Sequence, residues 1–196
     1  IFAAGYPALQ GAAGEVPTFR ELQSSEYLEW VIKESMRVLP ASSYSQRVAM
    51  ESVELGPLTL PAGTPVIFSQ FMTHHREDIF TDHATFRPER WETAAPSAYE
   101  YLPFGAGSRM CIGASLAMVE LRTILAVLLR QWQFQIEPGS VVDGQVIATM
   151  LGPTSTVEAR LLRAGQMART VPVAGSIHDL VQLPPGAQPA TIRRAA

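Results

Sequence analysis

The sequence predicts an α+β fold, mainly α with small β-sheets, and three observations carry that expectation. The run from Leu116 to Arg130 is built almost wholly of strong helix formers. An apolar stripe at Leu28, Val31, Ile32, Met36 and Leu39 recurs at the spacing of one helix face. Between and beyond these helices, hydrophobicity alternates with period two in short runs punctuated by Gly and Pro. A chain of 196 residues, 47% hydrophobic and 17% charged, is globular and long enough for one sizeable core or two small ones.

Residues 1–16 are small and Gly/Ala-rich, with weak periodicity. Thr18 and Glu21 stand at capping-box spacing, which predicts a short helix from there. Ser24 and Ser25 offer caps for the next helix, which Pro40 stops near Leu39. On its wheel Glu34 and Arg37, at i and i+3, fall roughly opposite the apolar stripe. Taken alone they read as a solvated surface ion pair.

Strands are expected at Arg47–Leu55, Leu58–Leu60 and Thr64–Phe68, with turns at Gly56-Pro57 and around Gly63. Arg47, on the first of them, reads as an exposed edge charge. A polar helix follows over Gln70–Ile79, where the neighbouring His74 and His75 point in different directions and make no chelating pair. After the long apolar helix, further strands are expected at Trp132–Glu137, Gln145–Leu151 and Thr156–Leu162. Their turns fall at Pro138-Gly139, Asp143-Gly144 and Gly152-Pro153. Residues 164–196 are Ala/Pro/Gly-rich and read as a mobile tail, in which only Ser176–Val181 has the pattern of a helical turn.

The chemistry concentrates at Cys111, the only cysteine. It ends a loop carrying Gly105 and Gly107 and stands just ahead of the long helix. The positive end of a helix dipole and its unsatisfied N–H groups favour thiolate, the form that ligates metals. The two glycines let the backbone approach a flat ligand, and Gly113 removes a Cβ one turn into the helix. Arg109 offers a forked donor to a carboxylate beside that ligand. The plainer alternative makes Cys111 one more small buried apolar residue. The glycines, the arginine and the helix start favour a thiolate beneath a haem.

The pattern Phe104-x-x-Gly107-x-Arg109-x-Cys111-x-Gly113 resembles the haem-binding loop of the cytochrome P-450 family. Upstream of it, Glu34-Ser-Met-Arg37 resembles that family's Glu-x-x-Arg pair. Phe86-x-Pro88-Glu89-Arg90-Trp91 resembles its Pro-Glu-Arg-aromatic segment. The resemblance implies that Cys111 is the axial thiolate of haem b, both metal ligand and catalytic centre. It implies that Phe104 packs near the sulfur and that Gly105, Gly107 and Gly113 permit the close loop. Arg109 and Arg47 are then the propionate holders, and Glu34, Arg37 and Arg90 a buried charge triad. Thr149 and Met150, at the tip of a late hairpin, are the implied substrate contacts.

In fold, the resemblance implies the C-terminal part of the cytochrome P-450 domain over residues 1–163, strongest over 18–162. The N-terminal helices and most of the central distal helix have no counterpart. Ile1-Phe-Ala-Ala-Gly-Tyr6 resembles the start of that helix's oxygen-activating segment, but Pro7 and Ala8 stand where the family has an acid and a threonine. The chain therefore reads as a fragment or deletion product. The implied activity is a haem-thiolate monooxygenase that inserts one oxygen atom from O2 into a small apolar substrate, with electrons from a reductase or ferredoxin. A non-catalytic haem-binding module and an inactive truncated fragment are the alternatives. A net charge of −3 with no basic block argues against nucleic acid. The longest apolar run, Ile124–Leu129, is too short to span a bilayer, and no basic start precedes an apolar run at the N-terminus. With a single cysteine, a reducing compartment such as the cytoplasm is expected, and no membrane anchor is visible in this stretch.

Overall fold

The computed structural model describes residues 18, 20, 25–163, 166 and 168–182. The Ile1–Tyr6 segment lies outside them, as does the helix expected from Thr18 to Glu21 apart from Thr18 and Arg20 themselves. Helix α1 spans Glu26–Val38 with Ser25 at its N-cap, acidic Glu26 and Glu29 in its first turn and Arg37 in its last. That charge order complements the helix dipole. Pro40 disfavours helical geometry at Leu39, and the helix ends there.

Helix α1 packs across the long helix that follows Cys111 through Leu28, Ile32 and Ala126, with Met36, Met118, Leu125 and Leu129 around them. An ion pair from Arg122 to Glu29 at 2.9 Å crosses the rim of this contact. The long helix begins at Ala114, earlier than its helix formers indicate, because Gly113 serves as its N-cap rather than lying one turn inside. Its apolar composition indicates an interior helix, yet Leu116, Val119 and Ile124 are exposed. Among the described residues, α1 covers one face only. No described helix is long and apolar enough to cross a membrane.

Between these helices lie small antiparallel ladders. β1 (Ser45–Val48) pairs with β4 (Pro65–Phe68), and β2 (Val53–Leu55) pairs with β3 (Leu58–Leu60). The single strand expected over residues 47–55 is thus divided, because its two halves pair with different partners. Helix α2 is short, Gln70–His74, with the Ser69 hydroxyl capping Met72 N–H at 3.1 Å. The remainder of the expected helix to Ile79 is turns. The long helix, α3 (Ala114–Gln131), runs directly into β5 (Trp132–Ile136), which pairs with β8 (Ala159–Arg163).

The stretch 145–151 is not one strand. It folds back as a hairpin of β6 (Gly144–Ile147) and β7 (Met150–Pro153). The turn falls at Ala148, which adopts φ 55° without being glycine, so the sequence carries no turn signal there. The hairpin tip lies beside residues 41–43: Ser43 N–H donates to Thr149 O and Leu151 N–H to Ala41 O, each at 2.8 Å.

The described part of the stretch read as a mobile tail is docked. Val173 and Val181 are buried, and Ile177–Leu180 forms a turn of helix, α4. Two buried valines and a series of backbone hydrogen bonds outweigh the Pro/Gly-rich composition that reads as loose.

Candidate cofactor site and the charge cluster behind it

The loop before α3 is set by backbone geometry. Gly105 and Gly107 adopt φ 74° and 69°, a region that side-chain-bearing residues rarely enter. Their turns allow Cys111 N–H to donate to Phe104 O at 2.9 Å, which closes the loop on itself. Ala114 N–H then bonds Cys111 O at 3.3 Å and Ala117 N–H bonds Gly113 O at 2.9 Å, so the helix starts within three residues of the thiol. Cys111 is a free, exposed thiol. A Cβ on Gly113 would stand 3.8 Å from its Sγ, in ordinary van der Waals contact, so this glycine borders the sulfur directly.

Phe104, Gly105, Ala106, Gly107 and Met110, with Tyr101, line a shallow apolar recess of about 240 Å³. Arg109 lies exposed on the short 3-10 turn Gly107–Arg109. The donor set, a lone exposed sulfur at a helix mouth with a nearby guanidinium and glycine-bared backbone, fits a flat anionic metallocofactor. Arg47 lies elsewhere, exposed on β1. Its Nη1 donates to Gln46 O at 2.8 Å and its guanidinium sits 5.5 Å from the Phe68 ring. Thr149 and Met150 form the tip of the β6–β7 hairpin, with Met150 exposed.

Glu34, Arg37 and Arg90 come together behind the loop. Glu34 and Arg37, which the helical wheel alone reads as a surface pair, have no exposed surface, and Arg90 is nearly enclosed. The Glu34 carboxylate accepts five hydrogen bonds. Arg37 grips it with Nε and Nη2, each at 2.9 Å. Arg87 N–H at 2.9 Å, Arg90 Nε at 3.0 Å and Trp91 Nε1 at 3.0 Å complete the set. Burial pushes the Glu34 pKa up, but the bonds from Arg37 and Arg87 and the charges of Arg37 and Arg90 outweigh it, leaving a net lowering.

Two guanidinium groups face one carboxylate, so one positive charge is in excess. Carbonyl oxygens absorb it. Arg37 donates to His74 O and Thr85 O, and Arg90 to Thr81 O, Asp82 O and Thr85 O, at 2.7–3.2 Å. Burial lowers the Arg90 pKa while Glu34 raises it, and the guanidinium remains a cation.

The link from this cluster to the cysteine loop runs through residues that sequence patterns leave unmarked. Leu102 N–H donates to His74 Nε2 at 2.7 Å, which places the histidine proton on Nδ1. Burial, with the Arg37 and His75 charges, lowers the His74 pKa to about 4, so it is a neutral acceptor near pH 7. The Tyr101 hydroxyl donates to Lys33 O at 3.0 Å. Its ring lies 4.7 Å from Trp91 and 5.3 Å from His74. The aromatic spacing Trp91–Tyr101 was the one available signal, since buried Trp and Tyr seek polar partners.

A family model described as Cytochrome P450 matches residues 8–155. The chain is 41% identical over 132 residues to a cyclooctat-9-en-7-ol 5-monooxygenase of Streptomyces melanosporofaciens, covering 66% of this chain and 29% of that protein. It is 40% identical over 123 residues to cytochrome P450 4c21 of Blattella germanica, covering 61% and 25%. It is 31% identical over 160 residues to a pentalenene oxygenase of Streptomyces avermitilis, covering 80% and 34%. The chain thus spans about a quarter to a third of the length of these relatives. A glycine-turned loop that presents its only thiol at a helix mouth, moored to a buried Glu–Arg–Arg cluster, lies inside the matched region, and the chain belongs to the cytochrome P450 family.

Proposed function

We propose that this chain carries the proximal half of a haem-thiolate site, and that the protein it represents is a monooxygenase acting on a small apolar substrate. The observation that supports this most is the exposed Cys111 thiol at the start of α3, in a loop bared by Gly105, Gly107 and Gly113. Haem b, when bound, supplies the activation of O2 and the insertion of one oxygen atom into the substrate. Cys111 would hold the haem iron through its sulfur, and its N–H bond to Phe104 O holds the loop in the shape that presents it. Arg109, exposed two residues before, is the propionate partner, with Arg47 on β1 as the second. Phe104 is the residue that would pack near the sulfur once haem is bound, and the Glu34 cluster braces the loop from behind.

Thr149 and Met150 are the substrate contacts at the hairpin tip. The names of two relatives, a cyclooctat-9-en-7-ol 5-monooxygenase and a pentalenene oxygenase, support an apolar organic substrate. Electrons come from a reductase or ferredoxin, as is general in the family. Haem titration of the chain followed by a carbon monoxide spectrum tests the assignment. A thiolate-type spectrum that Cys111→Ser abolishes is expected. The same spectrum in Cys111→Ser overturns it, and a thiolate spectrum without turnover beside a redox partner turns the reading to a non-catalytic haem module.

A further inference from the structure

Residues 173–182 lie beyond the region matched by the family and bridge two distant parts of the chain. At one end they run along the base of the β6–β7 hairpin. Ala174 N–H donates to Ser140 O at 3.0 Å, Val142 N–H to Ala174 O at 2.8 Å, and Ile177 N–H to Val142 O at 3.1 Å. Asp143 holds the crossing point. Its Oδ1 accepts Ser176 N–H at 2.6 Å, while Ser176 Oγ accepts Gly144 N–H at 3.0 Å. The Asp143 carbonyl accepts Thr154 N–H at 2.8 Å, so one residue ties the segment to both hairpin strands.

At the other end, Gln182 N–H donates to Ala84 O at 2.8 Å and Thr85 Oγ1 to Gln182 Oε1 at 3.1 Å. Thr85 is the residue whose carbonyl receives both Arg37 and Arg90.

The seat is a close fit from both sides. Gly175 adopts φ 108°, and a Cβ there would fall 2.4 Å from Val142 O. A Cβ on Gly144 would meet Leu180 Cδ1 at 2.7 Å. Ile177 and Leu180 cover an apolar cavity of about 260 Å³ against Leu39, Val142, Leu151 and Val157. The Leu180 side chain could turn aside, but the Val142 backbone could not, so the contact demands glycine at position 175.

We propose that Asp143 is a positioning residue: it seats residues 173–182 as a strap that holds the β6–β7 hairpin against residues 41–43 and so sets where Thr149 and Met150 stand. The positioning stands on the contacts just described. Only its consequence, control of which substrate position is presented, rests on the reading of Thr149 and Met150 as substrate contacts.

Amide hydrogen exchange on the chain without haem tests it, with Ser43 and Leu151 reporting hairpin docking and Arg87 reporting the Glu34 cluster. Asp143→Ala and Gly175→Ala are expected to speed exchange at Ser43 and Leu151 by about tenfold or more, while Arg87 is unchanged. Asp143→Asn, which keeps the acceptor oxygen, restores slow exchange. Unchanged rates at Ser43 and Leu151 in both variants overturn the strap. Equal acceleration at Arg87, or no rescue by Asp143→Asn, reduces Asp143 to a general stabiliser and overturns the positioning role. Because no haem is involved, a failed thiolate spectrum would strike the proposed function and leave this result standing.

Discussion

Glu34 and Cys111 stand at opposite extremes of enclosure. Glu34 has no exposed surface and five donors converging from α1, residue 87 and the 3-10 turn at Pro88–Glu92. Cys111 is exposed, in a loop braced by few backbone bonds of its own. The residue that does no chemistry is the one the fold is built around. The residue assigned the chemistry is placed by what lies behind it, through Leu102 on His74 and Tyr101 on Lys33. Rigidity here is made at a distance and delivered to the exposed loop proposed as the cofactor site.

The largest expected effect breaks the enclosed region. Arg90→Ala leaves Glu34 short of a buried partner, and removing one member of such a set costs on the order of 3–5 kcal/mol. Urea denaturation should show that loss, whereas Cys111→Ser, at an exposed position, should stay within about 0.5 kcal/mol of the parent. The reverse order would invert the comparison.

Acid should act on the same region. Glu34 and His74 both titrate lower in the folded chain than in the unfolded one, so the unfolded chain binds more protons in between and stability falls with pH. For His74 the window runs from its ordinary 6.5 down to about 4. Its full contribution, on the order of 3 kcal/mol, is present above the upper limit and lost through the lower one. Glu34 adds to the fall below its ordinary value of 4.5. Midpoints of denaturation measured across this range should decline, and His74→Gln should flatten the upper part of the slope.

Arg109→Ala probes the open region. Stability should be unchanged, while haem retention weakens roughly ten- to a hundredfold, the worth of one charge-assisted hydrogen bond. The thiolate signature should persist in whatever haem remains. Competition with apomyoglobin reads the first quantity and the carbon monoxide spectrum the second. The smallest effect is expected at the link itself. Tyr101→Phe removes one hydrogen bond, about 1 kcal/mol, and a greater loss of haem retention than of stability would show that the mooring serves the loop.

Both long helices and the cysteine loop are legible in the sequence because periodicity and glycine placement are local properties. Glu34 and Arg37 are misread by the helical wheel, which shows one apolar stripe and says nothing of a second face packed by polar groups. That face is made by Trp91, Arg90 and the carbonyls of residues 81–85, more than forty positions away. The β6–β7 hairpin is legible only through the family resemblance, because Ala148 takes a left-handed turn that no glycine or asparagine announces and local pattern reads one strand. Residues 173–182 are hidden because two buried valines among prolines and glycines leave no period to detect.

The span between Glu34 and Arg90, 56 residues, also bears on synthesis. Helix α1 leaves the ribosome with Glu34 and Arg37 already at pairing distance along its axis, but the other donors do not yet exist. At about 5–20 residues per second, roughly 3–11 s pass before Arg90 is made. During that interval Arg37 and water are the only partners of the carboxylate. The α1 face that ends up dry must therefore be soluble first, and a charged pair meets that need where an apolar pair of the same volume would invite aggregation.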